Sequence, residues 1–461
     1  MIQRALVAVL ICLLGASLAA APFRDGDRVV FLGDSITHAG GYLSRLSDFY
    51  LTRYPDRAVR IVNAGVAGDN VHGALARFDE DVARFDPTVL AFMFGMNDSW
   101  RNMYEPAKMA DRPYRDALPR HETACLNHFT NGVGALLARA RTSIPSARLV
   151  FMTPTPYDET CTASGAVPLV GTVAALRRFS VFLRGASTAH GADRVDFFGA
   201  CQELTEREQA KNPAFSFVGD DRVHPEAPGH LYMAAVFLEA QGVSGAVSDT
   251  ALSAADGTVT RSENVRVSGF ARLPDGCAFT LTAGALPWPI PADARAALAW
   301  TPFLGELRRE RLSVADLPEG RYALAVDGTE VGAWTADEWK AGVDLGDNPK
   351  TPQYREAAAL AAANARCADV ENALRDLAAS RWFLRQRGVD PDDRAAVQAY
   401  CDGLDAQARE GYFERGLLRY LGNVSKRPEL EADLEARRAA LHRHRRPAAR
   451  RYEIRAVSGR K

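Results

Sequence analysis

Along the first half of the chain, short apolar runs alternate with longer stretches of mixed character. The runs at 28–32, 60–64, 88–94, 148–153 and 194–198 are rich in Val, Ile, Leu and Phe. Runs that are apolar throughout, rather than at every second position, predict strands buried on both faces of a parallel sheet. Between them, 41–53, 71–84, 122–141 and 172–190 repeat apolar residues at three- and four-residue spacing and predict helices, with a closing helix at 228–241. Repeated β-α units of this kind define an α/β domain whose sheet is covered on both sides.

The pattern then changes. Small and polar residues dominate 242–256, as in a linker. Beyond it, 264–270, 278–282 and 321–326 alternate apolar and polar positions, and Asp327-Gly328 predicts a hairpin turn into 329–331. A small antiparallel β domain is expected at 257–334. From 335 the period is helical again, with a short segment at 338–343, a long alanine-rich one at 353–387, and 392–445 interrupted at Gly411, Gly422 and Pro428. Trp382, Phe383, Tyr412, Phe413 and Tyr420 read as the core of a helical hairpin or bundle, with a carbohydrate-stacking platform as the sharper alternative. The alternation at 451–457 predicts a last strand returning to the β domain, and the basic run 441–446 reads as a solvated chain end.

At 461 residues the chain exceeds the size of a single core and implies several domains: an export signal at 1–21, an α/β domain at 22–245, the β domain, and a helical region at 335–461. The signal is read from Arg4, the apolar stretch 5–14 and the small residues 16–21, and it implies a periplasmic or extracellular protein; a retained anchor is the competing reading. No later apolar run reaches spanning length, so no stable membrane span is expected after signal removal. A net charge of -1 supplies no general attraction for nucleic acid. Cys125, Cys161, Cys201, Cys277, Cys367 and Cys401 form an even set that an oxidising compartment would allow to pair; Cys367 with Cys401 and Cys125 with Cys161 are candidates, the connectivity being open. None forms a C-x-x-C pair, so no metal or cofactor is expected. Oligomeric state has no sequence signal.

Chemistry concentrates in four segments: Gly33-Asp34-Ser35, Gly65-Val66-Ala67-Gly68-Asp69, Gly95-Met96-Asn97-Asp98 and Asp221-Arg222-Val223-His224. Alone, such a serine is a helix cap, such a glycine a turn residue and Asp-x-x-His a surface pair. The first three, however, each follow a predicted parallel strand, at the sheet edge where α/β proteins bind ligands. The constellation resembles the SGNH hydrolase superfamily, also called GDSL esterases and lipases, whose blocks carry Ser, Gly, Asn and His in this order. The resemblance covers the first half of the chain and implies a three-layer, flavodoxin-like α/β/α sandwich. It implies Ser35 as nucleophile and His224 as base oriented by Asp221. It also implies an oxyanion hole made by the Gly68 N–H and the Asn97 side-chain amide.

The residue types suit that chemistry. A serine hydroxyl needs a base to take its proton, and imidazole titrates near neutrality. Asp221, three residues before His224, reaches the far ring nitrogen, and Pro225 favours a loop that presents the histidine. The Ser35 N–H, at the start of a helix, would be a third oxyanion donor; Gly65 competes with Gly68 for the glycine role. Asp34, Asp69 and Asp98 read as caps or loop braces, and His38 as a bystander or a neighbour of substrate. The loops 99–120 and 154–165 should set specificity, with Trp100 and Tyr104 as substrate contacts. The expectation is an exported serine esterase removing small acyl groups, chiefly acetyl, from a small-molecule or polysaccharide ester. A lysophospholipase or lipase-like esterase competes with it, and a non-catalytic polysaccharide- or partner-binding protein is the reading of another class.

Overall fold

The computed structural model describes residues 20–443 and 446–457. The export-signal expectation falls outside the described residues apart from its last two positions, as does the side chain of Tyr412. Five parallel strands, β1 (Arg28–Gly33), β2 (Arg60–Gly65), β3 (Val89–Met93), β4 (Arg148–Met152) and β5 (Asp193–Val195), form one sheet in the order β2-β1-β3-β4-β5. Alternate residues of each strand enter opposite cores. Val29 and Phe31 pack with helices Gly41–Arg53, Phe197–Gln209 and Ala227–Ala240, while Val30 and Leu32 pack with helices Val71–Ala76, Arg112–Ser143 and Thr172–Ala189. The expected three-layer α/β/α sandwich is therefore the observed one. Burying a side chain such as Phe31 or Leu32 contributes about 1.5–3 kcal/mol, which is why the runs are apolar throughout.

Several boundaries differ from the periodicity. The stretch 71–84 is not one helix: it breaks at Arg77, whose buried guanidinium turns inward to the Ala64 and Gly33 carbonyls. The second half of the expected loop 99–120 is helical, because Asp111 caps Tyr114 N–H and starts a helix whose first turns face solvent and so lack an apolar stripe. Phe197 and Phe198, read as strand, begin a helix capped by Asp196 on Gly199 N–H. The expected linker contains β6 (Ser248–Ser253), a strand whose polar residues conceal it.

The remaining strands are β7 (Val259–Glu263), β8 (Val265–Leu273), β9 (Gly276–Ala283), β10 (Glu310–Ala315), β11 (Arg321–Val326), β12 (Thr329–Thr335), β13 (Val343–Asp344) and β14 (Arg450–Ala456). They form two sheets, β13-β10-β6-β7 and β12-β11-β14-β9-β8, packed around Phe279, Leu312, Leu324, Trp339 and Ile454. The sandwich is not wholly antiparallel, since β6 and β10 pair in parallel. The last strand inserts between β11 and β9, so the helical region is a long excursion between β13 and β14. Another excursion sends Trp288, Ile290, Leu304 and Leu307 into the core of the α/β domain.

The helical region is built on Pro352–Gln386, which lies against helix Gly41–Arg53 and β2, and on Arg394–Asp402, Tyr412–Asn423 and Arg427–Arg443. Tyr420 is core, bonded to Arg381 and the Pro391 carbonyl. The basic run is not simply solvated: Leu441 packs with Leu51 and Cys367, and Arg446 pairs with Asp56. All six described cysteines are buried and unpaired. Cys367 and Cys401 occupy different hydrophobic clusters, while Cys125 donates to the Asp98 carbonyl and Cys161 to that of Ala214, so neither candidate disulfide forms. Among the described residues no helix is long and apolar enough to cross a membrane, and no His/Cys/Asp/Glu group could hold a metal ion.

Candidate active site

The site forms where β1, β2 and β3 end side by side. After Gly33, the Asp34 carboxylate caps the Ile36 N–H at 3.0 Å and starts the short helix Ser35–Ala39. Ser35 thus stands at the first helical position, where backbone N–H groups have no partner within the helix. Burial pushes the Asp34 carboxyl up to about 6, with the Ile36 N–H working in the opposite sense.

His224 arrives on the loop before helix Ala227–Ala240. Its Nε2 lies 2.7 Å from Ser35 Oγ, and its Nδ1 is bonded to Asp221 Oδ2. The other Asp221 oxygen accepts from the Val223 and His224 N–H groups at 3.0 and 2.9 Å. Burial raises the Asp221 pKa, but these bonds, led by the His224 side chain, outweigh it and hold the carboxyl below its ordinary value. Arg222, at φ 66°, turns its buried guanidinium onto the Ala166, Asp158 and Cys161 carbonyls and so anchors the loop.

Gly68 sits in a turn at φ 76°, a conformation that favours glycine. Asn97 Nδ2 donates to the Asp69 carbonyl at 2.8 Å while Arg101 donates to Asn97 Oδ1, so the amide is fixed with one hydrogen left to give. Among the described residues no acceptor faces the Ser35 or Gly68 N–H. Gly65, the competing candidate, has its N–H engaged by Asn63 Oδ1, and a Cβ there would come 2.2 Å from the His38 nitrogen; its role is close packing of the Ser35 helix on β2. The structure thus gathers a hydroxyl, an imidazole, a carboxylate and three aimed or unpaired donors, an arrangement able to stabilise a tetrahedral oxyanion.

The loop braces form a buried network. Arg77 bonds Asp69 and Asp81, and Asp81 also receives both terminal nitrogens of Arg375, whose Nε donates to the Gly65 carbonyl. Burial alone would raise the Asp81 pKa, but the two guanidiniums hold it far below the usual range. Asp98 caps Val71 N–H, and burial lifts it to about 7. His38 Nδ1 accepts from the Ala67 N–H at 3.0 Å, and its Nε2 faces Asp376 at 3.4 Å. Arg375 and Asp376 belong to the long C-terminal helix and had no sequence signal, since residues some three hundred positions away meet only in the fold.

Of the expected substrate contacts, Trp100 is 41% exposed and shares a shallow surface with Asn97, Arg101 and Tyr114. Tyr104 must be corrected: it is only 3% exposed, its hydroxyl donates to Glu122, and its ring packs under Gly171. If Asn97 is an oxyanion donor, Asn97→Ala is expected to lower kcat about a hundredfold with little change in KM; steady-state kinetics on a short-chain ester would show it, and an unchanged kcat would remove Asn97 from the candidate oxyanion hole.

A parallel α/β domain with this edge constellation defines a carboxylic ester hydrolase. Residues 31–231 match the GDSL-like Lipase/Acylhydrolase family, and this part of the chain is a GDSL domain of the SGNH superfamily. The acetylxylan esterase of Geobacillus stearothermophilus is 24% identical over 233 residues, covering 47% of this chain and 95% of that protein; its solved structure aligns at 23% identity and TM-score 0.37 over 48% of this chain and 96% of that one. The solved structure of a gut microbial diltiazem-metabolizing enzyme is 26% identical with TM-score 0.87, covering 96% of this chain and 100% of that chain. That likeness extends through the β sandwich and helices, so the C-terminal regions are part of a shared architecture.

Proposed function

We propose that the protein is an exported serine esterase that removes small acyl groups, acetyl foremost, from a carbohydrate or other small hydroxylated molecule. The observation that carries the reading is the 2.7 Å contact of His224 Nε2 with Ser35 Oγ, with Asp221 on the far side of the ring. Ser35 Oγ attacks the ester carbonyl as His224 takes its proton, and Asp221 stabilises the resulting imidazolium. The carbonyl oxygen, now negative, accepts from the Ser35 and Gly68 N–H groups and the Asn97 amide. His224 then protonates the leaving alcohol, and a water activated by the same imidazole releases the acid and regenerates Ser35.

The acyl preference draws support from similarity to an acetylxylan esterase along nearly all of that protein's length. Similarity to an enzyme that metabolizes diltiazem supports a small molecule as an alternative to the polysaccharide. Export rests on the pattern of the first 21 residues. A p-nitrophenyl ester series tests the acyl claim: kcat/KM is expected to fall at least tenfold from acetate to octanoate, and a preference for the longer chain would favour the lipase-like reading instead.

A further inference from the structure

A cavity of about 270 Å³ opens between the catalytic loops and the helical region, lined on one side by His38 and Ala67 and on the other by Phe383, Phe413, Arg415 and Arg419. Ser35, Gly68, Asn97 and His224 do not line it, but residues close to Ser35 and Gly68 in the chain do. His38 is one helical turn beyond Ser35, Ala67 precedes Gly68, and a Cβ on Gly68 would lie 2.9 Å from the Phe413 ring. Helix Tyr412–Asn423 packs on Pro352–Gln386 at Gly416, where a Cβ would be in ordinary contact, 3.6 Å from Ser380 Oγ. The approach stacks Phe383 on Phe413, with centroids 4.2 Å apart and planes at 17°.

The charges on this wall are unbalanced. Elsewhere on these helices Arg375, Arg381, Arg385, Arg387, Arg427 and Arg438 each hold an acid, while Arg355 and Arg394 hold backbone carbonyls. Arg415 and Arg419, four residues apart on one helix face, have no acid within ion-pair distance among the described residues, and the acid on the wall, Asp376, faces His38. Phe383 is covered by Phe413 and by the Arg387 guanidinium, 3.8 Å from its centroid, so the pair offers ring edges; two guanidiniums beside them suit a flat or ring-shaped group that carries a carboxylate.

The geometry points to this cavity as the subsite for the alcohol portion of the ester, and to a ring-bearing alcohol with a carboxylate as its occupant. This rests on the serine-esterase reading, which fixes where the leaving alcohol must lie. An acidic sugar and an aryl carboxylate share the chemistry, and the substrates below separate them. With the full chain, kcat/KM would be compared for 3- and 4-acetoxybenzoate against phenyl acetate, and for an acetylated methyl glucuronoside against the corresponding glucoside. The expected result is a preference of about tenfold for the carboxylate member at low ionic strength, shrinking toward unity in 0.5 M salt because the arginines are exposed. The preference should reverse in the double variant R415E/R419E, with an unchanged circular dichroism spectrum confirming its fold. A preference confined to one substrate pair identifies the ring. Equal rates within both pairs, or a preference untouched by the double variant, would overturn the subsite while leaving the esterase standing; phenyl acetate hydrolysis that survives Ser35→Ala would sink both.

Discussion

Ser35→Ala is expected to lower kcat on p-nitrophenyl acetate by roughly 10⁴- to 10⁶-fold, and His224→Ala to match it. The two losses should not add in the double variant, because in the proposed mechanism the hydroxyl and the imidazole act as one unit: without the base the hydroxyl stays a poor nucleophile, and without the hydroxyl the base has no proton to take. The fold should survive both changes. The Asp34 cap on Ile36 is made by another residue, and the His224 loop is held by Arg222 and by the Gly219 N–H on the His224 carbonyl. Asp221→Asn is expected to be milder, since Ser35 and His224 would remain in place. Residual turnover of more than about a hundredth in Ser35→Ala, with contaminating esterase excluded, would end the assignment of the nucleophile.

Arg375→Met is expected to be the most destabilising single change on the helical region, by about 3–5 kcal/mol. Arg375 is 4% exposed and gives Asp81 both terminal nitrogens, at 3.1 and 3.0 Å; its removal leaves a buried carboxylate with Arg77 alone and the Gly65 carbonyl without its donor. The Gly65–Asp69 turn carries the Gly68 N–H, so kcat should fall along with stability. Arg375→Lys, which keeps the charge but not the fork, should lie between. Thermal unfolding followed by circular dichroism checks this: the expected shift is a fall in Tm of several degrees or more. A variant that melts with the parent would show that the guanidinium contributes little to holding the helical region on the catalytic domain.

Much of the site was legible because its parts are local. A strand that ends in Gly33-Asp34-Ser35 specifies its own cap, and Asp221 to His224 forms a loop whose hydrogen bonds span three residues. Tyr104 was misplaced because an aromatic in a polar stretch looks exposed, whereas Glu122, eighteen residues on, captures its hydroxyl in the interior. The helix at Phe197 and the strand at Ser248 depart from the local pattern for the same kind of reason. Asp196 overrides the strand propensity of two phenylalanines, and pairing with β10, far along the chain, makes a strand of polar residues.

By itself the sequence determined the alternation of strand and helix that makes a parallel sheet covered on both faces, and the strand character of the last segment. Both are written in periodicity, where local free energies set the conformation. Only the tertiary structure decided that all six described cysteines stay apart, that Arg375 and Asp376 brace the loop carrying Gly68, and that Phe413 walls the cavity beside it. Those contacts join residues hundreds of positions apart, and their partners are chosen by which faces the helices bury, a choice that no local pattern encodes.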